Sequence, residues 1–193
     1  MIRRSAMVVA AIACLALCAR AQTSPLTRPA TLEVAVAYSA DRTNGLVGGC
    51  GCFWMQGGKA EASANFKDRF SVVAELAGEH AGSINSAGES LSLISYLFGP
   101  RYSLSGHSRL VPFAQFLVGG VHGFDASFPE PNGSAITPDA LAFATGGGLN
   151  VNVSRYVAFR AFQADYMQTH LPNDAGNRQN HLRLAAGLIL RLR

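Results

Sequence analysis

Four histidines, His80, His122, His170 and His181, fall beside the longer polar segments of the chain, close to Ser127, Asp125, Glu130 and Asp174. A hydroxyl, an imidazole and a carboxylate at one rim are the parts of a Ser/His/acid lipid hydrolase, in which the imidazole takes the hydroxyl proton as the oxygen attacks an ester. Their spacing does not assemble that device. No pair sits at an interval that holds nucleophile against base, and His107 beside Ser108 lies in a short turn at the opposite end. Histidines in loops are more often solvated than ligating, so no catalytic, cofactor-binding or metal-binding residue is assigned. Cys50-Gly51-Cys52 is the remaining reactive pair: the two thiols could close a small, strained ring or stay reduced, and a metal would need more ligands than this Gly-rich stretch offers.

A second set of polar residues is scattered singly among apolar ones: Glu33, Glu75, Glu79, Arg101, Gln115, Arg160, Asp165, Arg183 and Arg191. The elements that position them have a period of two. Leu32, Val34, Val36 and Tyr38 alternate with Glu33, Ala35, Ala37 and Ser39, and Leu182, Leu184, Leu188, Leu190 and Leu192 share one face with Ala186 while Arg183, Arg191 and Arg193 share the other. In water the leucine face would need a second sheet over it; in lipid it needs no cover. Strands are expected near residues 32–41, 53–65, 68–80, 90–103, 109–122, 139–153, 156–168 and 180–192, most of them longer than the five or so residues usual in soluble sheets. Tight links at 66–67, 104–108 and 154–155 alternate with long polar ones at 42–52, 81–89, 123–138 and 169–179. That alternation, with aromatics near both sets of strand ends (Phe66, Phe70, Tyr102, Phe113 and Tyr156; Tyr38, Trp54, Phe124 and Tyr166), is the layout of an eight-stranded antiparallel up-and-down transmembrane β-barrel. Gly119-Gly120 and Gly146-Gly147-Gly148 fit close packing in a tight barrel better than a phosphate cradle, because no helix follows either.

Strict alternation would turn Gln163 and Asp165 into lipid if Arg160 points inward, so one extra residue is expected near Ala161. The barrel interior at this strand number is filled by side chains, and the polar residues named above are expected there. They read either as an ion path or, more simply, as an internal salt-bridge network.

The 193-residue chain has room for one domain after its leader. Arg3 and Arg4, an apolar run from Ala6 to Cys18 and a small-x-small site at Ala19-Arg20-Ala21 read as a secretory signal over residues 1–21, with 22–31 as a short mature leader and 32–193 as the barrel. Removing residues 1–21 takes three of sixteen basic residues and none of the twelve acidic ones, so the mature chain is close to neutral. With two lysines and no basic stripe, nucleic-acid binding has no footprint.

Taken in order, Phe53-Trp54-Met55-Gln56-Gly57, Ala62-Ser63-Ala64-Asn65-Phe66, Phe98-Gly99-Pro100-Arg101-Tyr102, Phe113-Ala114-Gln115, Gly146-Gly147-Gly148 and Gln163-Ala164-Asp165-Tyr166 at hairpin spacing resemble the small outer-membrane β-barrels typified by the transmembrane domain of outer membrane protein A and its barrel-only relatives. The resemblance implies a bacterial outer-membrane location, surrounding outer-membrane lipids and the barrel-assembly machinery as partners, no cofactor, and a structural or surface-presenting role. It departs at Leu190-Arg191-Leu192-Arg193, where such barrels carry a terminal aromatic. A lipid-modifying hydrolase and a soluble lipocalin-like carrier are the alternatives; the carrier would turn its oily face inward.

Overall fold

The computed structural model describes residues 32–44, 52–67, 69–84, 88–104, 109–130, 133–173 and 176–192. Residues 1–31, with the expected signal and leader, lie outside them, as do Cys50 and Arg193. The strands are β1 (Leu32–Asn44), β2 (Cys52–Lys67), β3 (Phe70–Ala81), β4 (Leu91–Ser103), β5 (Leu110–Phe124), β6 (Phe128–Glu130), β7 (Gly133–Ala135), β8 (Asp139–Asn152), β9 (Val157–Thr169) and β10 (Gln179–Leu192). Eight of them close a barrel in the order β1-β10-β9-β8-β5-β4-β3-β2, every neighbour antiparallel, and β6 and β7 form a separate hairpin.

Closure is made by the first and last strands, paired from Leu32↔Leu192 to Thr43↔His181. A closed sheet has no open edge, so every strand finds backbone partners on both sides; this is the condition for strands in hydrocarbon. Glycine lets the wall curve tightly. A Cβ added at Gly146 would collide with the Ala164 carbonyl and the Asp165 carboxylate on β9, and on the outer face Gly120 leaves the space into which the Tyr96 ring folds.

The expected extra residue in β9 is present. Gln163 pairs with Ala185 and Arg160 with Gly187, while across the other edge Leu149 pairs with Phe162 and Asn150 with Arg160. Ala161 and Phe162 are therefore both exposed, and Arg160 and Gln163 are both buried.

Three expectations are corrected. The segment 123–138 is not plain loop but carries the β6–β7 hairpin. Strands run further than the periodicity suggested, β1 to Asn44, β5 to Phe124 and, through the expected turn at 66–67, β2 to Lys67, because ladder pairing continues beyond the alternating runs. Phe113 does not join the aromatics on the outside: it is buried in the lumen, with the guanidinium carbons of Arg101 and Arg160 4.6 and 4.9 Å from its ring centre.

Candidate functional site

The lumen is built by parity. Each strand turns alternate residues inward, so Ser39, Asp41 and Thr43 of β1, Lys59, Glu61 and Ser63 of β2, Ser71, Glu75 and Glu79 of β3 and Arg183 of β10 are all buried, though the strands they sit on expose their other face. Lys59 is the centre: its Nζ lies 2.8 Å from Glu75, 3.0 Å from Glu61 and 3.5 Å from Asp165. Toward the short turns, Arg101 and Arg160 each reach Glu61 at 2.6 Å. Arg101 also donates to Gln115 at 2.6 Å, Arg160 donates to Gln163 at 2.6 Å and to Asn150 at 3.2 Å, and Gln163 donates to Asp165 at 2.5 Å. Toward the long loops, Arg183 holds Glu75 at 2.8 Å and Glu79 at 2.9 Å and donates to Ser95 at 3.2 Å. At the short-turn mouth, half-buried Arg191 pairs with half-buried Glu33 at 2.8 Å and donates to Asn152 at 2.6 Å.

Thus Glu75, Glu79, Arg101, Gln115, Arg160, Asp165 and Arg183 meet in one connected network and Glu33 with Arg191 in a smaller one. Moving a charged side chain from water into a protein interior costs several kcal/mol per ion, and only close pairing with further hydrogen bonds offsets it. Interlocked in this way, the groups brace β2, β3, β4, β5, β9 and β10 across the lumen.

Toward the long loops the lumen also holds an apolar cluster, beside the buried polar groups Asp41, Thr169 and His181. Met55, Leu91, Leu93, Leu97, Leu117 and Val121 pack together there, and Phe128 of β6 and Leu171 from the β9–β10 connection complete the cluster from above. Phe128 is fully buried, and its ring occupies the space a side chain at residue 123 would need: a Cβ on Gly123 would lie 2.6 Å from its Cζ. The chain entering the hairpin is pinned by Glu89, which accepts from the Ser127 amide at 2.6 Å, and by Ser92, which donates to Asp125 at 2.6 Å.

Among the described residues, the rim histidines form no accessible chain of acid, imidazole and hydroxyl. His80 Nδ1 meets Ser92 Oγ at 2.8 Å, but the acid, Asp125, bonds the serine and not the histidine. His122 pairs with Asp139 at 2.8 Å with no hydroxyl in the chain of contacts. Asp41, His181 and Thr169 do follow the order acid, imidazole, hydroxyl, at 2.9 and 3.1 Å; all three are buried, and Thr169 also bonds Gln179. A nucleophile needs an approach for its substrate, and here the same contacts tie the β9–β10 connection to the wall, since Gln179 bonds both the amide and the carbonyl of Leu171. Asp174 and the side chain of Glu130 lie outside the described residues. No metal-holding group of three or more His, Cys, Asp or Glu occurs among the described residues. Cys52, first in β2, is exposed and has no disulfide partner among the described residues; whether it pairs with Cys50, left open by the sequence, falls outside them.

Sequence reasoning missed Asp41, Lys59, Glu61 and His181 as lumen residues. On β2 the outward face between Trp54 and Phe66 is Gln56, Gly58, Ala60, Ala62 and Ala64, a weakly apolar stretch that does not mark Lys59 and Glu61 as inward. The outer surface elsewhere is unambiguous: Leu76 is 57% exposed, Phe98 57%, Phe116 50% and Leu184 42%. Phe66, Phe70 and Tyr156 stand exposed at one end of this belt and Tyr38, Trp54 and Tyr166 at the other.

Neither the family models nor the curated proteins give a match. Solved structures do. Neisserial surface protein A superposes with a TM-score of 0.63 at 13% identity, over 86% of this chain and 100% of that one. Ail, the attachment invasion locus protein of Yersinia pestis, gives 0.58 at 15% over 86% and 100%, and the outer membrane protein OprG from Pseudomonas aeruginosa gives 0.58 at 11% over 88% and 99%. The chain has the fold of the small eight-stranded outer-membrane β-barrels.

Proposed function

We propose that the chain is an integral outer-membrane protein that performs no covalent chemistry and serves as a closed scaffold, stabilising the envelope or presenting its long loops at the surface. The carrying observation is the inverted distribution of polarity: large apolar side chains cover the outside of the barrel, and the ion pairs of the described residues lie inside it or at its short-turn mouth, except His122–Asp139 at the rim. A hydrocarbon solvent favours that distribution and water opposes it. A soluble lipocalin-like carrier would need the reverse. The network around Lys59 and the apolar cluster under Phe128 fill the lumen at two levels, which supports a wall that does not conduct.

Fractionation and reconstitution test this together. The protein should stay with outer-membrane pellets through an alkaline wash, and the folded barrel in phospholipid bilayers should give neither a steady conductance nor turnover of lipid esters. Recovery in the soluble periplasm contradicts the membrane placement. A sustained conductance contradicts the closed lumen, and ester hydrolysis abolished by changing Ser92, Thr169 or a rim histidine contradicts the absence of chemistry.

A further inference from the structure

Charge is divided between the two ends of the barrel. The short connections and the strand ends beside them carry Lys67, Arg69, Arg109 and Arg155 against one acid, Asp68, whereas the long connections and the strand ends beside them carry Glu89, Asp125, Glu130, Asp139 and Asp174 against Arg42 and Arg178. Asp68 and the side chain of Lys67 lie outside the described residues; among those described, no exposed carboxylate lies at the short-turn end, since Glu33 is turned inward to Arg191.

Arg69, Arg109 and Arg155 are all exposed, one on each of three separate hairpin connections, β2–β3, β4–β5 and β8–β9. The closed strand order spreads these connections round the circumference. Each arginine also stands next to the apolar belt. Arg69 lies between exposed Phe66 and Phe70 and has its Nη1 3.3 Å from the Tyr102 hydroxyl, the Arg155 guanidinium carbon sits 4.7 Å from the ring centre of exposed Tyr156, and Arg109 precedes exposed Leu110. Aromatic residues at the end of such a belt mark the boundary between hydrocarbon and headgroups. A guanidinium adjoining that boundary is at the height of the lipid phosphates, which its planar fork matches with paired hydrogen bonds.

We propose that Arg69, Arg109 and Arg155 form a ring that binds the phosphates of anionic phospholipid headgroups in the leaflet at the short-turn end. A globular partner would meet one sector of such a ring, while a planar layer of anions meets all of it. This rests on the membrane placement proposed above, and the test separates the two.

The folded protein is reconstituted in phosphatidylcholine bilayers carrying trace spin-labelled phosphatidylglycerol or spin-labelled phosphatidylcholine, and the motionally restricted fraction of each label is measured. The ring predicts that phosphatidylglycerol is favoured about threefold at the barrel surface, that molar salt removes most of the preference, and that the combined Arg69→Gln, Arg109→Gln and Arg155→Gln variant loses it. An Arg42→Gln, Arg178→Gln control at the other end should keep it. Equal restriction of both labels by the wild-type barrel, a preference indifferent to salt, or a preference retained in the triple variant overturns the ring. Because the first two comparisons use only the wild-type chain, a variant that folds badly does not decide the matter. Absence of any restricted component, with no compact folded band on a gel, would instead overturn the membrane placement and the ring with it.

Discussion

Lys59 Nζ stands 2.8 Å from a Glu75 carboxylate oxygen on the neighbouring strand and is itself wholly buried. The same ammonium is shared with Glu61 and Asp165, so replacing it with methionine leaves three buried carboxylates without their common cation. Lys59→Met should lower stability by about 3–5 kcal/mol, read as the urea midpoint at which the folded band disappears. A midpoint within experimental scatter of wild type would show that the network does not brace the wall.

The opposite face gives the complementary experiment. Leu184 is 42% exposed on the outer face of β10, and in hydrocarbon an arginine there should cost about 2–4 kcal/mol near the midplane. On a soluble barrel the same Leu184→Arg change at an exposed position would be nearly neutral or would improve solubility. Stability in lipid vesicles distinguishes the two.

The β9 bulge predicts a failure of register. Deleting Ala161 removes the residue that allows Arg160 and Gln163 to face inward together, joined at 2.6 Å, and forces one side of the strand into the wrong environment. The expected result is loss of most of the folded yield in refolding trials. An Ala161→Gly substitution, which keeps the residue count, should retain it.

Phe128 closes the apolar cluster. Gly123→Val brings a side chain within 2.6 Å of its ring and should displace the β6–β7 hairpin, seen as faster proteolysis in the segment 125–138 with the barrel still folded. Phe128→Ala should instead cost about 3–5 kcal/mol from the lost burial and the cavity. Unchanged proteolysis in the first variant would mean that the hairpin does not depend on the seat at Gly123.

Strand number, antiparallel connectivity and the alternation of short and long links were legible because one face of most strands is strongly apolar, as the leucines of β10 show. The bulge was legible for the same reason: Gln163 and Asp165 had no acceptable outward position. Where the middle of the outer face is made of Gly, Ala and Gln, as between Trp54 and Phe66 on β2, the alternation is weak, and Lys59 and Glu61 at the centre of the network were not found. Phe113 was misplaced because an aromatic near a strand end fits a girdle as well as it fits a lumen that holds arginines. The β6–β7 hairpin had a signal in Asn132-Gly133, a favoured tight-turn pair, but Pro129 and Pro131 beside it read as loop.

The central claim, a closed barrel that belongs in lipid, is tested most directly by heat-modifiability: detergent-extracted outer membranes run on a gel with and without boiling. The structure predicts a band that migrates faster unboiled than boiled and occurs only in the outer-membrane fraction. A single mobility under both conditions, or a folded species recovered from the periplasm without detergent, would contradict it.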